Sequence, residues 1–227
     1  MAIGEEGVPF VVISAFICLG RKYDIQKLYV EAEKRIFRTI PAKLADYDAL
    51  PEKSFLITAF TYLDFAILGR KSGLFSLLPY AFYQSCYLYS TAGITNGLKA
   101  SDGHKAALHL HDQVVCLGGY RAGCETQADT TYAWIHNTGS VAPNCTTPKV
   151  CQRAKRAHNL THFDSGTALD GLGRWSACAP LGLCSECFEE GRSRHEAGRR
   201  QFWEKLPGIF NLPPWTELLK ERQEMCV

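Results

Sequence analysis

Ten cysteines are spread unevenly along this 227-residue chain, seven of them between Cys116 and Cys187. Four of the seven form two close pairs, Cys145-x5-Cys151 and Cys184-x2-Cys187. Zinc takes four tetrahedral ligands, and thiolates are common structural ones. The x2 spacing lets two sulfurs from one turn meet a single ion. The x5 spacing is wider than the usual gap of about two to four residues. Between that pair, Thr146-Thr147-Pro148 supplies a tight bend. Free cysteine often behaves as a small hydrophobe, which fits Cys18 and Cys86 in their apolar stretches. It fits Cys145 and Cys151 badly, since Asn144, Thr146, Thr147, Lys149, Gln152 and Arg153 around them are polar. Cys145, Cys151, Cys184 and Cys187 are therefore expected to bind one structural zinc. Cys178, which repeats the wide spacing ahead of Cys184, and Cys124 remain open as substitute ligands.

Other chemistry is less well supported by the residues. A thiol hydrolase needs a histidine base beside its nucleophile, and seven histidines offer bases without singling one out. His195 stands eight positions after Cys187 on an expected helix, about 12 Å along its axis. It is expected to pack rather than to ligate. No nucleophile elbow, phosphate-binding glycine loop or metalloprotease helix occurs. Ala168-Leu169-Asp170-Gly171-Leu172-Gly173 reads as a flexible loop bridging the cysteine pairs. The readings predict no enzyme. From Cys145 to Lys205 there are 10 Lys and Arg against 7 Asp and Glu, a balance of +3. Lys149, Arg153, Lys155 and Arg156 cluster after Cys151, short of the sustained basic face of a phosphate-neutralising domain. Nucleic acid is thus the lesser partner class.

Helices must position these cysteines. Val8 to Leu19 is apolar and ends at Gly20. Asp24 is expected to cap a helix from Ile25 to Phe37, burying Ile25, Leu28, Tyr29, Ala32, Ile36 and Phe37. Pro41 bars its continuation. A helix over Thr58 to Gly69, a turn at Gly73 to Ser76 and a central helix over Leu77 to Leu88 follow. Ser101-Asp102 is expected to cap another helix ending near Leu117. A long helix from Cys187 through Phe202 and Trp203 to Leu206, with Ile209, Leu212 and Trp215 beyond, is expected to fold back over the metal loop. No strand alternation longer than four residues appears in the first half, which reads as all-α, and the fold class is mainly α: a helical first half and a smaller zinc-stapled region of helix and loop. The boundary falls between Gly118 and Gln127.

Composition sets outer limits. A net charge of +2 gives no global field for nucleic acid or an anionic membrane. The longest apolar run, Val8 to Leu19, is too short to span a bilayer. Gly4-Glu5-Glu6-Gly7 lacks the positive start of a secretory signal. The chain reads as intracellular, cytoplasmic or nuclear, where a disulfide framework is unexpected.

Leu19-Gly20-Arg21-Lys22-Tyr23-Asp24-Ile25, then Leu28, Ala32 and Arg35, resembles the closing helices of a BTB/POZ domain. Ile40-Pro41-x-x-Leu44-x-x-Tyr47-Asp48, Leu68 to Leu74 and Leu77 to Ala81 extend the likeness, in order, to the BTB-domain proteins of mushroom-type fungi. So do the wide cysteine pair before a basic helix and Leu183-Cys184-x2-Cys187 before His195 to Arg200. The resemblance implies closing BTB helices over 8–38, a helical BACK-like segment over 39–120 and a cysteine-rich region over 121–227. It also implies a non-catalytic role in protein–protein interaction or scaffolding. Only the last helices of the BTB fold are matched here. Val8, Val11, Val12, Phe16, Leu28 and Tyr29 would then form an apolar face. Neighbouring helices, a protein partner or self-association would cover it. The alternative from another class is a zinc-dependent nucleic-acid-binding regulator.

Overall fold

A computed structural model describes residues 10–50, 61–99, 103–136, 141–163, 168–175 and 182–223. The fold is mainly α, and the only strands among the described residues are two short ones, β1 (Leu98–Lys99) and β2 (Lys105–Ala106). The chain forms two compact units, Met1–Gly119 with Leu206–Val227, and Tyr120–Lys205. No described helix is long and apolar enough to cross a membrane.

The first unit begins with an antiparallel pair, α1 (Phe10–Lys22) and α2 (Gln26–Thr39). Phe10, Ile13, Ile17 and Gly20 recur at helical spacing and are the buried face of α1. Gly20 permits the close crossing, because a Cβ there would stand 2.9 Å from that of Tyr29. Asp24 does not cap α2. It takes the left-handed turn position at φ 54°, which Asp tolerates better than most residues, and Ile25 precedes the helix without a side-chain cap. The α2 face is narrower than expected: Ala32 and Ile36 are buried, Leu28, Tyr29 and Phe37 half-buried, and Ile25 exposed.

After α3 (Leu44–Asp48), α4 (Tyr62–Ser72) starts at Thr61 rather than Thr58, which lies outside the described residues. Thr61 and Asp64 form a capping box, and Gly73 ends the helix in the left-handed conformation. A 3-10 turn, Phe75–Leu77, leads into α5 (Leu78–Leu88), followed by α6 (Thr91–Asn96). Every residue of α5 from Leu78 to Cys86 is buried, as expected for a central helix.

The next helix, α7 (Leu110–Asp129), departs from expectation at both ends. Residues 105–106 pair with β1 instead of starting a helix. The expected capping residues, Ser101 and Asp102, lie outside the described residues. The helix, expected to end near Leu117, runs on through Gly118 and Gly119 to Asp129, and the two units divide within it, between Gly119 and Tyr120. Gly119 is there for contact, because a Cβ would meet the Phe210 ring at 2.3 Å.

The last helices also belong to this unit. The rings of Phe210 and Phe82 lie 5.7 Å apart. After α10 (Ser185–Ile209), α11 (Trp215–Leu218) packs on the 3-10 turn, and α12 (Lys220–Gln223) follows. The expectation that Ile209, Leu212 and Trp215 cover the metal loop is therefore corrected. These residues lie in Leu206–Val227, with the first unit. Glu221 accepts from the backbone N–H groups of Phe75 and Ser76 at 3.0 and 2.7 Å. Arg222 donates to Ser76 Oγ, Phe37 O and Ile40 O, and its guanidinium stacks 4.4 Å from the Phe37 ring. Burial pulls Arg222 down to about 10.

The second unit contains the end of α7, α8 (Ala133–His136), α9 (Pro148–Phe163) and most of α10. Tyr132, Trp134, Ile135 and Trp175 form one buried cluster, and Ala142, Cys151 and Cys187 another. Leu183 packs against both. The turn after α7 and helix α10 approach closely: a Cβ on Gly198 would lie 2.3 Å from the Thr130 carbonyl oxygen.

Candidate metal centre

The two cysteine pairs stand in equivalent places on two helices. Cys145 precedes α9 and Cys151 lies in its first turns, after Pro148 at the first helical position. Cys184 directly precedes α10, and Cys187 is its third residue. A helix start carries unpaired N–H groups and a partial positive charge, both of which favour thiolate. The x5 spacing is thereby explained: Cys145 N donates to Ala142 O and Cys151 N to Thr147 O, so a turn and a helical step join the pair.

The four sulfurs lie within 4.8 Å of one another. Metal–thiolate bonds of about 2.3 Å in a tetrahedron place sulfurs about 3.8 Å apart. Cys145 Sγ and Cys184 Sγ are separated by 3.7 Å. Cys151 and Cys187 are buried, and Cys145 and Cys184 half-buried. The set can hold one metal ion. Backbone amides already point at the sulfurs: Cys184 N–H donates to Cys151 Sγ at 3.3 Å, and Ala142 N–H to Cys187 Sγ at 3.4 Å. Such outer contacts orient metal ligands. The Cys187 amide, first, and that of Thr146 help pull the Cys184 thiol down to about 6, while burial pushes Cys187 up to about 12. An entering cation would displace the protons that remain.

Cys124 is not among the clustered sulfurs, and Cys178 lies outside the described residues. None of the eight described cysteines is in a disulfide. Cys86 is buried and donates to the Cys116 carbonyl at 3.3 Å; Cys18 is half-buried. His195 packs, as expected. It is fully buried, receives the Trp134 indole N–H on Nδ1 at 3.3 Å and lies 2.9 Å from Gly173 O through Nε2. That pattern places its proton on Nε2. Burial lowers its pKa.

The segment joining the pairs is less loop-like than its glycines suggest. Leu169 and Leu172 are buried, and Gly171 meets Phe202 so closely that a Cβ would fall 2.3 Å from its ring. Gln127 brackets the loop, donating to Ala168 O at 3.0 Å and accepting from Asp170 N at 2.6 Å. Thr131 donates to Gly171 O at 2.6 Å, and Arg199 to Leu172 O at 3.2 Å. The residues are anchored, because buried backbone groups require partners. Sequence reasoning missed the roles of Gln127, Thr131 and Arg199, which meet the loop only in the folded chain.

The basic cluster is smaller than it reads. Lys155 is buried and its ammonium lies 5.9 Å from the Trp134 ring centre, leaving Lys149, Arg153 and Arg156 exposed. Comparison of the chain with protein-family models, with curated proteins and with solved structures finds no match in any of the three.

Proposed function

We propose that Tyr120–Lys205 is a structural zinc module and that the chain acts as a non-catalytic protein-interaction or scaffold protein. The observation that carries the zinc reading is the mutual approach of four thiol sulfurs to within 4.8 Å. Four thiolates fill the tetrahedral coordination of zinc and leave no open position for substrate or water, the mark of a structural site. Soft sulfur ligands in this geometry also suit iron, so metal analysis must name the element. Protein purified under reducing conditions should contain about one zinc per chain. Cys184→Ser and Cys187→Ser proteins should contain none.

The interaction reading draws on the BTB-type resemblance and on the surface of α1. Val12, Phe16 and Leu19 recur along one side of it and Tyr23 directly follows its end, with Phe16, Leu19 and Tyr23 exposed and Val12 half-buried. Contiguous exposed apolar residues of this kind mark contact surfaces. Val11 is also exposed, Leu28 and Tyr29 are half-buried, and Val8 lies outside the described residues. Burial of Lys155 weighs against a nucleic-acid surface on α9. Capture of a protein partner that survives raised salt, and is lost on Phe16→Asp, supports the interaction reading. A steep salt-dependent shift with DNA or RNA would replace it.

A further inference from the structure

The first unit contains a cavity of about 410 Å³ bounded by α1, α4 and β2. Ligand pockets run to about 300–1,000 Å³ and combine apolar walls with a few placed polar groups. Here the walls are Phe10, Val11, Ile67 and Leu68. The Phe10 ring meets Phe65 edge-on at 5.0 Å, which holds α1 against α4 beside the cavity.

The polar groups are asymmetric in charge. Among the described residues, Asp64 is the one acidic group in the lining, and its carboxylate is already engaged. It accepts from Thr61 N at 2.7 Å and Thr61 Oγ1 at 2.9 Å, and lies 3.2 Å from His104 Nε2. Lys71 and Lys105 also line the cavity; both are exposed and neither has an ion pair among the described residues. Strand register places a further lysine, outside the lining, beside Lys105. Lys99 lies directly across from Lys105 in the antiparallel pair, while the neighbouring Leu98–Ala106 pair faces the other way, with Ala106 buried. Like charges directly opposite on a two-stranded ribbon are destabilising. An anion at the mouth would relieve them. No arginine fork lines the site among the described residues, so the bidentate geometry favoured by phosphate is missing.

We propose that this cavity binds a small amphipathic carboxylate, its apolar tail against Phe10, Val11, Ile67 and Leu68 and its head group at Lys71 and Lys105. The test titrates the full chain with decanoate below its micellar concentration, by calorimetry at pH 7.5, with decanol and decylammonium as controls for the tail and for the sign of charge. Decanoate binds at one saturable site, and both controls bind more weakly by about tenfold. Lys71→Ala with Lys105→Ala weakens decanoate by about tenfold and leaves decanol unchanged. Both positions are exposed, so this variant should fold, which circular dichroism checks. Val11→Trp fills the cavity from an exposed helix position and abolishes binding of decanoate. Absent or unsaturable uptake of decanoate overturns the proposal. So does decanol or decylammonium binding as tightly, or unaltered decanoate affinity in the lysine variant.

Discussion

The two units hold themselves together by different means. In the first, α5 is buried from Leu78 to Cys86, and Phe65, Phe82, Phe210 and Tyr80 are almost fully enclosed. Apolar area removed from water there offsets the conformational entropy of ordering the chain. The second unit has its own aromatic cluster, but much of its interior is polar. Gln127, Thr131, His195 and Arg199 are buried, each bonded to backbone of the segment joining the cysteine pairs. Polar contacts return little net stability, about 1 kcal/mol each, and are costly when one partner is lost. A region built that way has more to gain from a metal staple. In this chain, the clustered cysteines lie in the unit with the smaller apolar core.

The largest expected effect breaks the comparison at the cysteines. Structural zinc contributes on the order of 10 kcal/mol in small sites. Cys187→Ser, or a strong chelator acting on the native chain, should open residues 145–187 to limited proteolysis while residues 10–50 and 61–117 stay protected. Equal cleavage rates in both units would sink the two-part account. The reciprocal experiment is Phe82→Ala, which removes a fully buried ring against Phe210. It should cost about 3–5 kcal/mol in the first unit, measured by denaturant unfolding. The zinc content of the native variant should stay at about one per chain.

A third effect concerns a buried acid in the second unit. Burial raises the Asp170 carboxyl to about 6. Because the folded value lies above the unfolded one, the folded chain holds this proton more tightly. Stability from this group is therefore fully present below about pH 4, and up to about 3 kcal/mol of it is lost as pH rises through about 6. Asp170→Asn keeps an acceptor for the Tyr132 hydroxyl, which lies 3.2 Å from Asp170 Oδ2. The variant should melt higher than the parent at pH 7.5. A carboxyl carbon titrating with a midpoint close to 4 would remove the reason. The smallest effect is Gln127→Ala, which unpairs the Asp170 amide and the Ala168 carbonyl. A loss of about 1–3 kcal/mol is expected, with faster amide exchange at Asp170 and unchanged metal content.

The metal candidate is legible in the amino-acid sequence because spacing restricts where sulfurs can meet. Cys184 and Cys187 are close by helical geometry, and Pro148 with Cys151 marks a helix start after a bend. The helices of the first half are legible from Gly73, Pro41 and the apolar run of α5. Failures come where two residues far apart in sequence share a contact. The helix before Gly118 reads as ending near Leu117, yet it runs on to Asp129, and Gly119 makes room for Phe210. Ile209 to Trp215 reads as a cover for the cysteines because it follows them in the chain. The Phe210 contact with Phe82, however, is made in the other unit.

Periodicity, ligand type and rise per residue are local properties. The mainly helical class, the four clustered cysteines and the packing role of His195 therefore follow from residue order alone. Long-range packing decided the rest. It returned the C-terminal helices to the first unit, where Glu221 and Arg222 meet backbone groups of Phe37, Ile40, Phe75 and Ser76. It converted a glycine-rich stretch into an anchored buried turn and put Lys71 and Lys105 at one cavity. Each of those outcomes depends on which surfaces exclude water together, and that is a property of the whole packed chain.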